Sequence, residues 1–121
     1  MARLESKSLR APEEVRPFQG NRGQVELVEL DSGPVGLGTF EPGWKWSEHV
    51  KPIAGTDSCQ VHHLGYVVSG RMKVVMDDGS EGELGPSDVC DIPPGHDAWT
   101  VGDEACVMVD FGGLTGYAVS H

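Results

Sequence analysis

From Gln24 onwards the chain is a succession of short apolar runs broken by turn residues. Gln24 to Leu30 and Val35 to Phe40 are separated by Asp31-Ser32-Gly33-Pro34, and Glu41-Pro42-Gly43 closes the second run. Clusters of Gly, Pro, Asp and Ser between runs of this length predict strands joined by tight turns, the rhythm of a β-meander. Cys59 to Ser69 alternates. Because successive side chains of a strand point to opposite faces, Cys59, Val61, His63, Gly65 and Val67 share one face and Gln60, His62, Leu64, Tyr66 and Val68 the other. A bend at Gly70-Arg71 leads into a strand with Met72, Val74 and Met76 on one side, and Asp77-Asp78-Gly79-Ser80 supplies a hairpin turn back through Glu81 to Leu84. Strands are expected again at Val89 to Ile92, around Trp99-Thr100-Val101, and at Cys106 to Phe111. The breaks between them are Gly85-Pro86-Ser87-Asp88, Pro93-Pro94-Gly95 and Gly102-Asp103-Glu104.

About eight or more short strands at this spacing point to an all-β sandwich or barrel. The 17 glycines and 8 prolines among 121 residues agree, and they argue against long helices. Residues 1–22 are polar and mixed in charge, with Pro12 and Pro17 breaking any periodicity, so they read as an N-terminal arm or peripheral strand. Residues 23–121 form a single β-barrel domain, since a chain of this length supports one core.

Charge narrows the partners. With 19 acidic against 9 basic residues the formal net charge is −10, which repels phosphate backbones and offers no basic cluster to release counterions, so no nucleic acid is expected. No apolar run reaches the roughly 20 residues of a membrane helix or makes a secretory signal. No membrane partner is expected, and the default location is cytoplasmic. Cys59, Cys90 and Cys106 are an odd set without CxxC spacing, which suits a reducing compartment better than a disulfide framework.

Three segments resemble the cupin family, in the small, single-domain (cupin type-2, RmlC-like) branch of its jelly-roll superfamily. Pro42-Gly43 closes a strand ahead of a histidine-bearing segment; Gly65-Tyr66-Val67-Val68-Ser69-Gly70-Arg71-Met72 looks like the strand ending the first cupin motif. Ser87-Asp88-Val89-Cys90-Asp91-Ile92-Pro93-Pro94-Gly95-His96 looks like the second motif with its Pro-x-Gly corner. The resemblance spans Val35 to Phe111 and implies an antiparallel cupin or jelly-roll β-barrel, a double-stranded β-helix with short helical turns at most. It also implies a metal held by an H-x-H pair, a glutamate and a later histidine. Here that scheme is kept only loosely. Counting back from Gly70 places His63 at the glutamate position and Asp57 and Cys59 near the H-x-H pair. Counting forward from Pro42-Gly43 places His49 and Lys51 there, with Ile53 to Gln60 as an inserted loop. Both alignments stay open on sequence alone. In the second motif the family histidine falls at Ala98, but His96 shares its parity and is expected to point into the barrel.

Four of the five histidines, His49, His62, His63 and His96, lie in or beside these windows, with Cys59 between them; the fifth, His121, is terminal. Imidazole with thiolate suits Zn²⁺, and imidazole with water or carboxylate suits Fe²⁺, Mn²⁺ or Ni²⁺. The expected metal ligands are Cys59, His63 and His96, with His49 or Asp57 as a fourth. His62, on the opposite face from His63, is expected to be structural or exposed. Trp46 and Trp99, with Lys51 and Tyr66, are candidates for contact with a small-molecule ligand, and Trp44 is a weaker one; Cys90 and Cys106 read as packing residues.

Two classes of function follow. One is a metal-dependent enzyme acting on a small, oxygen-rich metabolite, of dioxygenase, isomerase, lyase or hydrolase type as the resemblance allows. The other is a non-catalytic small-molecule or metal-sensing module that serves another protein. A homodimer is expected in either case, with the N-terminal arm available to cover an exposed strand edge.

Overall fold

A computed structural model describes residues 3–111 and 117–119; His121 lies outside the described residues. Among the described residues nine strands form two antiparallel sheets: β1 (Glu14–Pro17), β2 (Gly23–Leu30), β3 (Gly33–Phe40), β4 (His63–Ser69), β5 (Arg71–Met76), β6 (Glu81–Leu84), β7 (Val89–Ile92), β8 (His96–Val101) and β9 (Cys106–Asp110). Six make one sheet in the order β1-β2-β3-β9-β4-β7, and three make the other in the order β6-β5-β8. Neighbours that are distant in sequence, such as β3 with β9 and β4 with β7, give the jelly-roll crossing pattern that the cupin resemblance implied, where the turn rhythm alone suggested a meander.

The inward residues of each strand follow the period of two. Val25 and Leu27 on β2, Val67 on β4, Met72 and Val74 on β5, Cys90 and Ile92 on β7, and Cys106 and Met108 on β9 are buried in one core. Cys90 and Cys106 therefore pack as apolar groups, and all three cysteines are free thiols. Gly70 turns β4 into β5 at a positive φ of 76°, and a Cβ there would lie 2.2 Å from the carbonyl oxygen of Ala105. Both the turn and the close approach of backbone require glycine.

The segment between Pro42 and His63 is not a plain loop. It holds two single-turn helices, α1 (Trp46–His49) and α2 (Lys51–Ala54), with Pro52 in the first turn of α2 and Gly55 ending it in the left-handed conformation. Turns this short carry no readable periodicity. The strand expected from Cys59 is also shorter, starting at His63, while Cys59 itself makes an isolated antiparallel bridge with His96. At the other end β8 starts at His96, earlier than the expected Trp99-Thr100-Val101 run.

The outer face of the six-stranded sheet carries a largely apolar band, interrupted by Glu26 on β2. One transverse row crosses all six strands through the pairs of Val15, Glu26, Leu37, Val109, Tyr66 and Val89. Leu64, Val68 and Phe111 extend it, and Val89 and Phe111 are 73% and 56% exposed. Among the described residues no helix is long and apolar enough to cross a membrane.

Candidate metal centre

Strand parity delivers two of the three central side chains. His63 opens β4 on its inward face, and His96 opens β8 on the same inward face as Ala98 and Thr100, so an imidazole is reached two residues before the family position. Cys59 is brought to them by backbone rather than by a ladder. Its N–H donates to the His96 carbonyl at 2.7 Å, and its own carbonyl accepts from Gly95 N–H at 2.7 Å. Gly95, in the Pro-x-Gly corner, has φ of 92°, and a Cβ would stand 2.9 Å from Asp77 Oδ2, so the corner admits little else.

All three are buried, at 2%, 6% and 3% exposure for Cys59, His63 and His96. One donor atom from each lies within 4.8 Å of the others. Cys59 Sγ is 3.8 Å from His63 Nε2, near the roughly 3.5 Å that separates two ligands sharing a tetrahedral ion with N and S bond lengths. The remaining ring nitrogens are committed elsewhere. His63 Nδ1 is 2.6 Å from Asp110 Oδ2, where an N–H donating to the carboxylate fixes the tautomer with its Nε2 lone pair free. His96 Nδ1 donates to the Pro93 carbonyl at 2.8 Å and leaves its Nε2 free in the same way. Imidazoles held by a carboxylate or carbonyl at one nitrogen, with the other presented to a common point, are the usual outer support of a metal ligand. The donor set thus fits a divalent cation.

Burial shapes the protonation of the set. It pushes the Cys59 thiol up to about 11, with the Val61 N–H working weakly in the opposite direction and the carboxylates of Asp110 and Asp97 adding to the rise. Burial also lowers His96, which therefore stays neutral near pH 7 and able to coordinate.

Beside the three ligands lies a cavity walled by Phe40, Trp44, Trp46, Met72, Met108 and Tyr117 and reaching His63, His96 and Asp110. The space that water-molecule centres reach measures about 30 Å³, so its occupant has few heavy atoms. Trp46 enters it from α1, whose first turn is held by Asp97: Oδ1 accepts from Ser47 N–H at 3.1 Å and from Ala98 N–H at 2.8 Å. Tyr117 sets its ring against His63 edge-on at 5.1 Å.

Several expected residues are placed elsewhere. His49 ends α1, and its Nδ1 accepts from Lys45 N–H at 3.0 Å beside Gly20, so helix geometry turns it away from Cys59 and His63. Lys51 starts α2 with Nζ 3.8 Å from Asp57, and both reach into solvent. Trp99 alternates with Ala98 and Thr100 and so faces outward, under Lys45 Nζ at 5.4 Å from its ring centroid. Tyr66 has the parity opposite to His63 and belongs to the outer apolar face. His62 is likewise outside, paired with the Asp91 carboxylate. Asp110, Tyr117 and Phe40 are lining residues that the sequence reading passed over. The signal for Asp110 was present: it continues the inward series Cys106, Met108 as a lone carboxylate at a core position.

No family model and no curated protein matches the chain. Solved structures do. A protein of unknown function from Acidithiobacillus ferrooxidans superposes with a TM-score of 0.61 at 17% identity, over 84% of this chain and 88% of that one. An RmlC-like cupin from Shewanella frigidimarina gives 0.54 at 18% identity, over 80% and 79%. The S161A mutant of Bacillus subtilis oxalate decarboxylase gives 0.54 at 21% identity, over 78% of this chain but 26% of that enzyme. Likeness at such identities speaks for architecture alone, and it agrees with the motifs, the strand order and the pocket: this chain has the cupin-type jelly-roll fold.

Proposed function

We propose that this protein binds a divalent cation at Cys59, His63 and His96 and uses it to hold a small polar molecule in the adjoining cavity. The observation that carries the reading is the pair of imidazoles anchored at Nδ1, by Asp110 and by Pro93, with His63 Nε2 in contact with the Cys59 sulfur and one donor atom of each of the three residues within 4.8 Å of the others. Thiolate with two imidazoles favours Zn²⁺, then Fe²⁺ and Ni²⁺, over the harder Mn²⁺. Such an ion supplies Lewis-acid polarisation of a ligand oxygen. Elemental analysis of purified protein against the Cys59→Ala, His63→Ala double variant tests it. About one equivalent of metal lost in the variant is expected, and an equal, substoichiometric content in both sinks the proposal.

Metal-dependent enzyme chemistry on a small metabolite, of dioxygenase, isomerase, lyase or hydrolase type, draws support from the fold shared with oxalate decarboxylase. A non-catalytic sensing or accessory module draws support from the narrow cavity and from Asp110, the one carboxylate in its wall, being engaged by His63. A metabolite screen that finds binding without product selects the second. Three buried free thiols suit a reducing compartment such as the cytoplasm.

For the outer sheet face the proposed occupant is a second copy of the chain. Six strands at the usual spacing and up to eight residues in length give a face of about 600 Å², close to the roughly 800 Å² per partner of a specific interface.

A further inference from the structure

The two sheets stand open along one seam, because β7 ends the six-stranded sheet, β6 ends the three-stranded one, and neither pairs with the other. A groove runs there, walled by Val74, Met76, Leu84, Val89, Cys90 and Ile92, in which the space open to water-molecule centres measures about 340 Å³. The two carboxylates that border it have partners of their own: Glu81 accepts from Lys73 Nζ at 2.8 Å, and Asp91 pairs with His62. What they leave is a mostly apolar wall, suited to a hydrocarbon chain.

Ile92 alone borders both this groove and the cavity that reaches His63 and His96. It is buried, and the strand register sets it directly across from His63. Both side chains lie on the inward face, with Cβ atoms about 5 Å apart as in any such cross-strand pair. The same division falls on β5, where Met72 lines the cavity and Val74, the next inward residue, lines the groove. On the metal side the 30 Å³ open to water-molecule centres makes room for about two or three water-sized positions.

We infer that Ile92 sets the size limit of the ligand held beside Cys59, His63 and His96: its side chain is the partition that confines the ligand to about three heavy atoms and shuts off a groove able to take a chain. The inference rests on the metal reading above. The partition is one branched hydrocarbon side chain on an edge strand, so shortening it joins the two spaces without removing a hydrogen bond or a metal donor. Once they are joined, a ligand whose head binds the metal lays its tail in the groove, and each methylene buried there tightens binding about fourfold.

Protein loaded with Co²⁺ in place of Zn²⁺ reports its coordination by thiolate-to-cobalt absorption. Straight-chain thiols from ethanethiol to hexanethiol serve as probes, each giving up its proton as its sulfur binds the ion. In the wild type, hexanethiol is expected to bind about tenfold more weakly than ethanethiol. In Ile92→Ala the order reverses, with hexanethiol bound at least about tenfold more tightly than ethanethiol and cobalt content unchanged. Adding Leu84→Trp, which fills the groove, restores the wild-type order. Ile92→Val, the smaller change, is expected to narrow the wild-type difference about threefold. A cobalt-loaded wild type that binds none of the thiols or prefers the longer ones, or Ile92 variants that rank the series as the wild type does, overturns the inference while leaving the metal reading intact. Failure of the wild-type protein to take up cobalt overturns both.

Discussion

His63 Nδ1 and Asp110 Oδ2 lie 2.6 Å apart, both side chains buried, and the pair joins the first residue of β4 to the last residue of β9. A carboxylate in that position does two jobs: it fixes which imidazole nitrogen presents a lone pair, and it raises the basicity of that nitrogen. Asp110→Asn keeps the shape but loses the charge. Metal affinity, measured by competition with a chromophoric chelator, is expected to fall between about 10- and 100-fold, with the strand register preserved by far-UV circular dichroism. An unchanged affinity would show that the carboxylate serves packing alone.

His49 and Lys51 test the other reading of the first motif. Both sit on α1 and α2, away from the three ligands. His49→Ala and Lys51→Ala are expected to leave zinc stoichiometry and affinity within about twofold of wild type, a change under 0.5 kcal/mol. A loss of metal in His49→Ala would mean that α1 rearranges to deliver a fourth ligand.

The pH dependence of stability in the metal-free protein follows from the buried thiols and from His96. Burial lowers His96 from its ordinary value of 6.5, so the unfolded chain binds the proton more readily. Stability is therefore whole above about pH 6.5 and declines below it. Burial raises Cys59 and Cys106 from 9.0 to about 11, and raises Cys90 as well, so the folded chain keeps those protons longer. That stability is present below pH 9 and is lost as pH rises from 9 towards 11. Urea midpoints of the apo protein should form a plateau between about pH 6.5 and 9. Zinc should flatten the alkaline limb, because the bound form already carries the Cys59 thiolate; an alkaline limb equally steep with and without zinc would remove Cys59 from the ligand set.

The outer sheet face predicts an oligomer that two added carboxylates can break. Val89 ends the transverse row beside Tyr66 and is 73% exposed. Light scattering is expected to give twice the 13.0 kDa chain mass for wild type and one chain mass for Tyr66→Glu combined with Val89→Glu, with metal content unaffected. A monomeric wild type at tens of micromolar would leave the face without the proposed occupant.

Parity made much of this centre legible. Cys59, His63 and His96 were readable because alternation on a strand is a rule of backbone geometry, and it holds even where Cys59 sits just outside the ladder. The same rule, applied with β8 starting at His96, turns Trp99 outward. That outward direction was already implicit in the shared parity of His96 and Ala98. The helices α1 and α2 escaped notice because four residues cannot show a 3.6-residue period. Asp110 carried a parity signal, as it continues the inward series Cys106, Met108, but its role was not readable, because only the position of His63 on the neighbouring strand gives it a buried partner. The place of Ile92 between two cavities has no sequence signature at all, since it is defined by the spaces on either side of it.

The reciprocal hydrogen bonds between Cys59 and the Gly95-His96 corner clamp two of the ligands by main chain alone. That clasp does not depend on any ion, so the donors are held in place before a cation arrives and after it leaves. Little ordering entropy is then spent on capture. Exchange of one metal for another should proceed within the folded molecule, at a rate set by access to the buried cavity rather than by unfolding.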